Sequence, residues 1–140
     1  MKIKNIWEGV KEPLELHTDE RGSIVDVFYR GNIDHVAVVN SKPNTIRGNH
    51  YHEFSTQHML ITNGSLEYWY KPVDSDAPAK MVVADVGDVI STPPNEIHAL
   101  AIKEGGNQFI VFSEGLRGGK DYESDTFRVK SIIKGAQNER

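Results

Sequence analysis

Apolar and polar residues along most of the chain alternate with a period of two rather than 3.6, the signature of strands with one face buried. Residues 23–29 (SIVDVFY), 35–39 (HVAVV), 57–62 (QHMLIT), 65–70 (SLEYWY), 81–84 (MVVA), 98–102 (HALAI) and 108–113 (QFIVFS) are rich in β-branched and aromatic residues and read as strands. The stretches between them (RGN, KPN, NG, PVDSDAP, VGD, PPNE, EGGN) are turn-forming, and Asn63-Gly64 reads as a turn between two separate strands. No amphipathic helix longer than two turns emerges, and no internal repeat, low-complexity tract or linker. Short strands at this spacing predict an all-β sandwich or barrel. Residues 71–80 (KPVDSDAPAK) read as a loose hairpin loop. Residues 114–125 (EGLRGGKDYESD) have the length of a lid or binding loop, or of a plain surface connection.

The bulk numbers narrow the function classes. With 140 residues, the natural reading is a single domain over 1–140 that buries its own core without a staple. A net charge of −4 and a pI near 5.8 argue against a nucleic-acid partner, although a local arginine cluster can still oppose the global sign. The absence of cysteine removes disulfides, thiol catalysis and thiolate metal sites, and fits a cytoplasmic location. The first residues, MKIKNIWEGVKEPLELH, lack the apolar stretch of a signal peptide, and no segment approaches the ~18 apolar residues of a membrane span.

The candidate chemistry lies in RGNHYHEFSTQHMLITNG, residues 47–64, which holds three of the six histidines. On a flat strand over 46–52, Ile46, Gly48, His50 and His52 share one face, and Arg47, Asn49 and Tyr51 the other. Two imidazoles two residues apart then converge on one point. They form either an edge of a metal polyhedron or a pair of proton-transfer groups. On the next strand, Gln57 and His58 must face opposite ways. Further on, GDVISTPPNEIH (residues 87–98) starts a strand at Gly87, and the fixed φ of Pro93 and Pro94 aims His98 at a defined place.

The run G-N-H-Y-H, four residues, Gln57, six residues, Gly64, followed by Gly87, five residues, Pro93 and then His98, resembles the two motifs of the cupin superfamily. Gln57 stands where the first motif usually has Glu, and Asn95 where the second usually has Gly. Asn is the mildest such replacement, because it tolerates left-handed backbone. The resemblance spans about residues 15–130 and implies a jelly-roll barrel (a double-stranded β-helix), commonly a homodimer, with its pocket in the barrel mouth. The closer likeness is to sugar-nucleotide enzymes. HTDERGSIVDVF is similar to the Asp-x-Arg-Gly opening of dTDP-4-dehydrorhamnose 3,5-epimerases. Arg47 to Gly64, Gln57 included, is similar to the Arg-Gly-x-His-x-His…Gln…Gly run of dTDP-4-keto-6-deoxyglucose 3,4-ketoisomerases. Asp125-Thr126 is similar to the cupin domain that ends certain capsular-sugar reductases.

The isomerase resemblance implies that His50 and His52 are the catalytic pair. It places Arg21 and Arg47 at the diphosphate of a nucleotide sugar, with Gln57 as a hydrogen-bonding substrate contact and no cofactor required. Imidazole, with an unperturbed pKa of ~6.5, can remove or return a proton α to a carbonyl at neutral pH. Simple epimerisation needs an acid, usually Tyr, on the second ring face, and the relevant strand, FIVFSEG, has none. The alternative is a metal-binding cupin in which His50, His52, Gln57 and His98 hold a divalent zinc, iron, nickel or manganese ion for an oxygenase, isomerase or sensor role. His58 reads as a hydrogen-bonded residue of the opposite face. His17 and His35 are unremarkable by spacing, Glu53 reads as solvated, and Tyr68, Trp69 and Tyr70 read as core or interface residues.

Overall fold

The computed structural model describes residues 1–115 and 123–134, so the middle of the 114–125 segment, read as a lid, a binding loop or a plain surface connection, lies outside the described residues. Among the described residues ten strands are formed: β1 (Lys2–Asn5), β2 (Leu16–Asp19), β3 (Gly22–Val25), β4 (His35–Ser41), β5 (Ile46–Tyr51), β6 (Thr56–Pro72), β7 (Lys80–Ala84), β8 (Asp88–Thr92), β9 (Glu96–Glu114) and β10 (Phe127–Arg128). All pairings are antiparallel.

Strands β6 and β9 are long and pair with each other along their length, from Thr56↔Glu114 to Pro72↔Glu96. Each therefore belongs to two sheets. The first half of β6 and the second half of β9 pair with each other and with β8 and β4, and β1 extends this sheet beyond β8. The second half of β6 and the first half of β9 pair with each other and with β7 and β5, and β10 lies beyond β5. Two sheets sharing two bent strands make the expected jelly-roll barrel.

Asn63-Gly64 corrects the expectation of a turn. It is a corner inside β6, with register shifts between Ile61 and Asn63 and between Gly64 and Leu66. The EGGN stretch is the matching corner of β9. Gly64 (φ +72°) packs so closely on this second corner that an added Cβ would meet the Gly106 carbonyl. Only residues without side chains let both strands bend at the same level, so the chain turns a barrel corner without breaking its ladder.

The core lies between the sheets. Met59, Ile61, Ile90, Phe109 and Val111 of one sheet meet Leu66, Tyr68, Ala84, Leu100 and Ile102 of the other. Each large aliphatic side chain buried here contributes about 1.5–3 kcal/mol. Alternation sets the faces of β4: Ala37 and Val39 pack inward, while Val36 and Val38 stay exposed. Ala99 and Ala101, on the other face of β9, are covered by Ile132 and Ile133 of the C-terminal segment together with Trp69. Strands β2 and β3 form a separate two-stranded sheet, which leaves Leu16 and Ile24 exposed.

Candidate functional site

Strand β5 is not flat. Arg47 pairs with Leu100 and Gly48 with Ala99, but His50 pairs with His98, so one residue is inserted between them. The insertion is a bulge at Gly48 (φ +88°) and Asn49 (φ +57°). A Cβ on Gly48 would come within 2.7 Å of the His98 carbonyl oxygen. Asn49 is held in place by its Oδ1, which accepts from the Ile132 N–H at 3.0 Å, and by its carbonyl, which accepts from Val129 N–H at 2.9 Å. The bulge overturns the flat-strand parity. Arg47 does not turn away from His50; the two residues line the same cavity.

That cavity is about 340 Å³ in volume. Its floor and walls are apolar, formed by Ala37, Val39, Met59, Leu100, Phe109 and Val111, and polar groups converge on it from His35, Arg47, His50, Gln57, His98 and Ser113. The Arg47 guanidinium crosses to β4, where Nε donates to Ser41 Oγ at 2.6 Å and an Nη donates to the Asn40 carbonyl at 2.9 Å. No carboxylate pairs with Arg47 among the described residues.

The three predicted imidazoles do come together. Ring centroids are 4.7 Å apart for His50–His98, 4.9 Å for His50–His52 and 5.5 Å for His52–His98. One ring nitrogen of each lies within 4.8 Å of the others. Backbone carbonyls fix two of the tautomers. His52 Nδ1 lies 2.9 Å from the Asp125 carbonyl and His98 Nδ1 lies 3.2 Å from the Glu96 carbonyl. A carbonyl only accepts, so both Nδ1 atoms carry hydrogen and Nε2 is the basic nitrogen. Burial, with His52 nearby, lowers the pKa of His50 to about 4. Burial, with His50 nearby, lowers that of His98 to about 3. These two rings are therefore neutral at pH 7, able to take a proton or to ligate a cation.

The ring of Tyr68 stacks on His98 at 6.1 Å with an interplanar angle of 5°. It is fully buried, its hydroxyl bonds to Thr92 and reaches Glu96 Oε1, and burial pushes its phenol well above the usual range. Tyr68 is thus a wall behind His98 and part of the core, as its sequence context suggests.

The remaining candidates separate. Gln57 lines the cavity from the sheet facing His50, paired with Ser113 and Thr92. Arg21 sits at the tip of the β2–β3 hairpin with its side chain 82% exposed, held 2.7 Å from Asp19 and outside this cavity. The short local ion pair gives it a partner within the Asp-Glu-Arg-Gly turn itself. His58 faces outward, bonded to Ser91 Oγ and Glu114 Oε2 at 2.7 Å each, with its ring edge-on to Phe28. Glu53 is exposed.

Four residues gain a place that spacing did not reveal. His35 and Ser113 line the cavity as an in-register pair on β4 and β9. Arg128 pairs in register with His50 across β5–β10, and its guanidinium is bidentate with Glu123. The buried Asp125 carboxylate accepts from the N–H groups of Glu53, Phe54 and Ser55 and from Ser55 Oγ, at 2.8–3.2 Å. The inward parity of 35, 37 and 39 was the available signal for His35; the others depend on which strands meet.

With this geometry in view, the comparisons with known proteins agree on the fold. A 3,4-ketoisomerase from Helicobacter canadensis superposes with a TM-score of 0.70 at 18% identity, over 91% of this chain and 90% of that one. A mutant of the 3,4-ketoisomerase QdtA from Thermoanaerobacterium thermosaccharolyticum, in complex with TDP-4-keto-6-deoxyglucose, gives 0.66 at 17% identity over 89% and 91%. The capsular polysaccharide assembling protein CapF from Staphylococcus aureus gives 0.62 at 21% identity, over 85% of this chain but 35% of CapF. No curated protein gives a significant sequence match. The model of the polysaccharide biosynthesis C-terminal domain matches residues 17–135. That match takes in both halves of the barrel, the three clustered histidines and Asp125. This chain has the jelly-roll fold of these structures and belongs to the polysaccharide biosynthesis C-terminal domain family.

Proposed function

We propose that the protein is an isomerase- or epimerase-type enzyme of nucleotide-sugar metabolism that acts on a 4-keto-6-deoxyhexose nucleotide by histidine-mediated proton transfer. The observation that carries this reading is the bulge at Gly48–Asn49, which puts Arg47, a cation with no carboxylate partner among the described residues, in the same cavity as the neutral His50. Arginine suits a diphosphate because its planar fork offers paired donors to phosphate oxygens. The apolar floor suits a deoxy carbon rather than a hydroxymethyl group. The ketoisomerase neighbours support the same substrate class.

The chemistry balances without a redox partner. His50 Nε2 or Nδ1 removes the proton on the carbon next to the carbonyl, and the electron pair forms an enediolate. A proton then returns to the former carbonyl carbon, while the neighbouring hydroxyl passes its own proton to the former carbonyl oxygen and becomes the carbonyl. His52, locked in one tautomer by Asp125, would serve as the second base or orient the first. Gln57 would hydrogen-bond the sugar without competing for protons. Arg21 would meet a diphosphate only if its hairpin lay over the cavity of a second copy; the exposed Leu16 and Ile24 of that hairpin support a homodimer. A cytoplasmic location is part of this reading, because nucleotide-sugar chemistry takes place there.

The test is to mix the protein with dTDP- and UDP-linked 4-keto-6-deoxyhexoses in deuterium oxide and follow the ring protons by NMR. Deuterium should enter a carbon next to the carbonyl, and His50→Asn should abolish it. Lack of both saturable binding and exchange across these substrates would end the proposal.

A second reading is favoured by the histidine cluster alone. His50, His52 and His98 fit a divalent cation: their nitrogens converge, two have their Nδ1 hydrogens held by carbonyls, and the burial that keeps His50 and His98 neutral keeps their lone pairs available. Gln57 could add an amide oxygen from the facing wall. Such an ion would polarise a substrate carbonyl. Elemental analysis of protein purified without added metal discriminates. Near-stoichiometric zinc, iron, nickel or manganese that is lost in His98→Ala would favour this reading.

A further inference from the structure

The strand register lays a row of polar side chains across the inside of one sheet. His35 on β4 pairs with Ser113 on β9, and Ser113 pairs with Gln57 on β6. All three line the cavity. One residue pair further in, the same strands present only apolar groups: Ala37 opposite Val111, and Val111 opposite Met59. His50 and His98 lie on the other sheet, paired with each other. The cavity between the two walls, about 340 Å³, leaves room for one pyranose ring.

The strand that carries Ser113, FIVFSEG, has no tyrosine, and among the described residues no tyrosine lines the cavity wall opposite His50. The buried Tyr68 does not supply one, because its hydroxyl is bound to Thr92 and it stands behind His98. His35 brings an imidazole to that wall, a side chain with both a donor and an acceptor nitrogen. Gln57 and Ser113 beside it can hydrogen-bond a sugar oxygen but cannot hold a proton in reserve.

We propose that His35 is the second proton-transfer residue of this site, acting on the ring face opposite the one served by His50. This rests on the isomerase reading. His50 removes the proton from the carbon next to the carbonyl; the electron pair passes into the enediolate; His35 in its protonated form delivers a proton to the neighbouring carbon from the other side. The neighbouring hydroxyl proton passes through water to the former carbonyl oxygen as its own oxygen becomes the carbonyl, and the proton held by His50 returns through water to His35, so no oxidant or reductant is consumed. A proton delivered to the opposite face also fixes the configuration at the carbon that receives it.

The two half-reactions can be read separately. His35→Gln and His35→Asn keep a half-buried polar side chain on the edge of the barrel. In deuterium oxide with a keto-sugar nucleotide, these variants should still exchange the proton removed by His50, within about threefold of the unaltered protein. Net formation of the rearranged sugar should fall by about 10²-fold or more, the usual worth of a general acid, with KM little changed. His50→Asn should lose both. Rearrangement by the His35 variants at the normal rate would overturn the role of His35 alone, as would an equal loss of exchange and rearrangement, which would mean a merely structural or binding part. If the unaltered protein neither exchanges nor rearranges any of these sugars, the isomerase reading fails and takes this proposal with it.

Discussion

His52 donates its Nδ1 hydrogen to the carbonyl of Asp125 at 2.9 Å, across 73 positions of sequence. The carboxylate of the same Asp125 gathers the N–H groups of Glu53, Phe54 and Ser55. One residue of the C-terminal segment thus sets the tautomer of a site histidine and holds the loop that follows it. The carboxyl pKa reflects this. Burial alone would raise it, but the hydrogen bonds from Glu53, Ser55 and Phe54 outweigh burial and hold it below the usual carboxylate value.

Replacing Asp125 should therefore cost both stability and site geometry. Asp125→Ala takes the acceptor from the buried Ser55 N–H, at about 1–3 kcal/mol for a buried donor left unsatisfied, and from the part-buried N–H groups of Glu53 and Phe54. Urea denaturation should show a lower midpoint. Nitrogen-15 shifts of the His52 ring should show Nε2 protonation appearing where only Nδ1 protonation was present. Unchanged shifts would mean that the carbonyl is held in place without the carboxylate.

The bulge predicts a sharp glycine requirement. Gly48→Ala places a methyl group against the His98 carbonyl at a φ of +88°, a strain of about 1–3 kcal/mol. If the chain relaxes by flattening β5, Arg47 leaves the cavity that holds His50. Affinity for thymidine diphosphate, measured by calorimetry, should then drop further than the denaturation midpoint implies.

If Arg47 holds the diphosphate as proposed, Arg47→Lys should raise KM for a nucleotide sugar about 10-fold or more with a smaller change in kcat, because an ammonium group cannot reproduce the planar fork that bonds Ser41 and Asn40 and would offer paired donors to a phosphate. Affinity for thymidine diphosphate should also weaken with added salt, and this salt dependence should be reduced in Arg47→Ala.

Acid should loosen the fold earlier than carboxylate titration alone would suggest. His50 and His98 are held near 4 and near 3, below the ordinary 6.5. The unfolded chain therefore binds protons that the folded chain refuses, and stability falls as pH drops from about 6.5 towards 4–3. Above 6.5 this contribution is fully present. A series of urea midpoints between pH 7.5 and 4.5 should slope downwards, and His98→Gln should flatten the part above pH 5, where few carboxylates titrate. An equal slope in the variant would remove burial of these rings as the cause.

Much of the molecule was legible in the residues. Period-two alternation, β-branched runs and turn-forming breaks specified an all-β chain, because a strand with one buried face leaves that imprint whatever it pairs with. The motif resemblance carried by His50, His52, Gln57, Gly64, Gly87, Pro93 and His98 implied a jelly-roll barrel, and the placing of His50, His52 and His98 pointed to converging imidazoles. The opposed facing of Gln57 and His58 followed from parity alone.

Other features depended on which strands meet. Asn63-Gly64 became a corner rather than a turn because Gly106 of a distant strand bends at the same level. Arg47 joined His50 because the pairing of β5 with β9 admits an extra residue, and a single inserted residue reverses every side chain beyond it. His35 entered the cavity because β4 lies beside Ser113, and Asp125 reached His52 because β10 closes on β5. Local pattern records what each segment can bury. Register between segments far apart in sequence is a property of the assembled sheets, and only the folded barrel decides it.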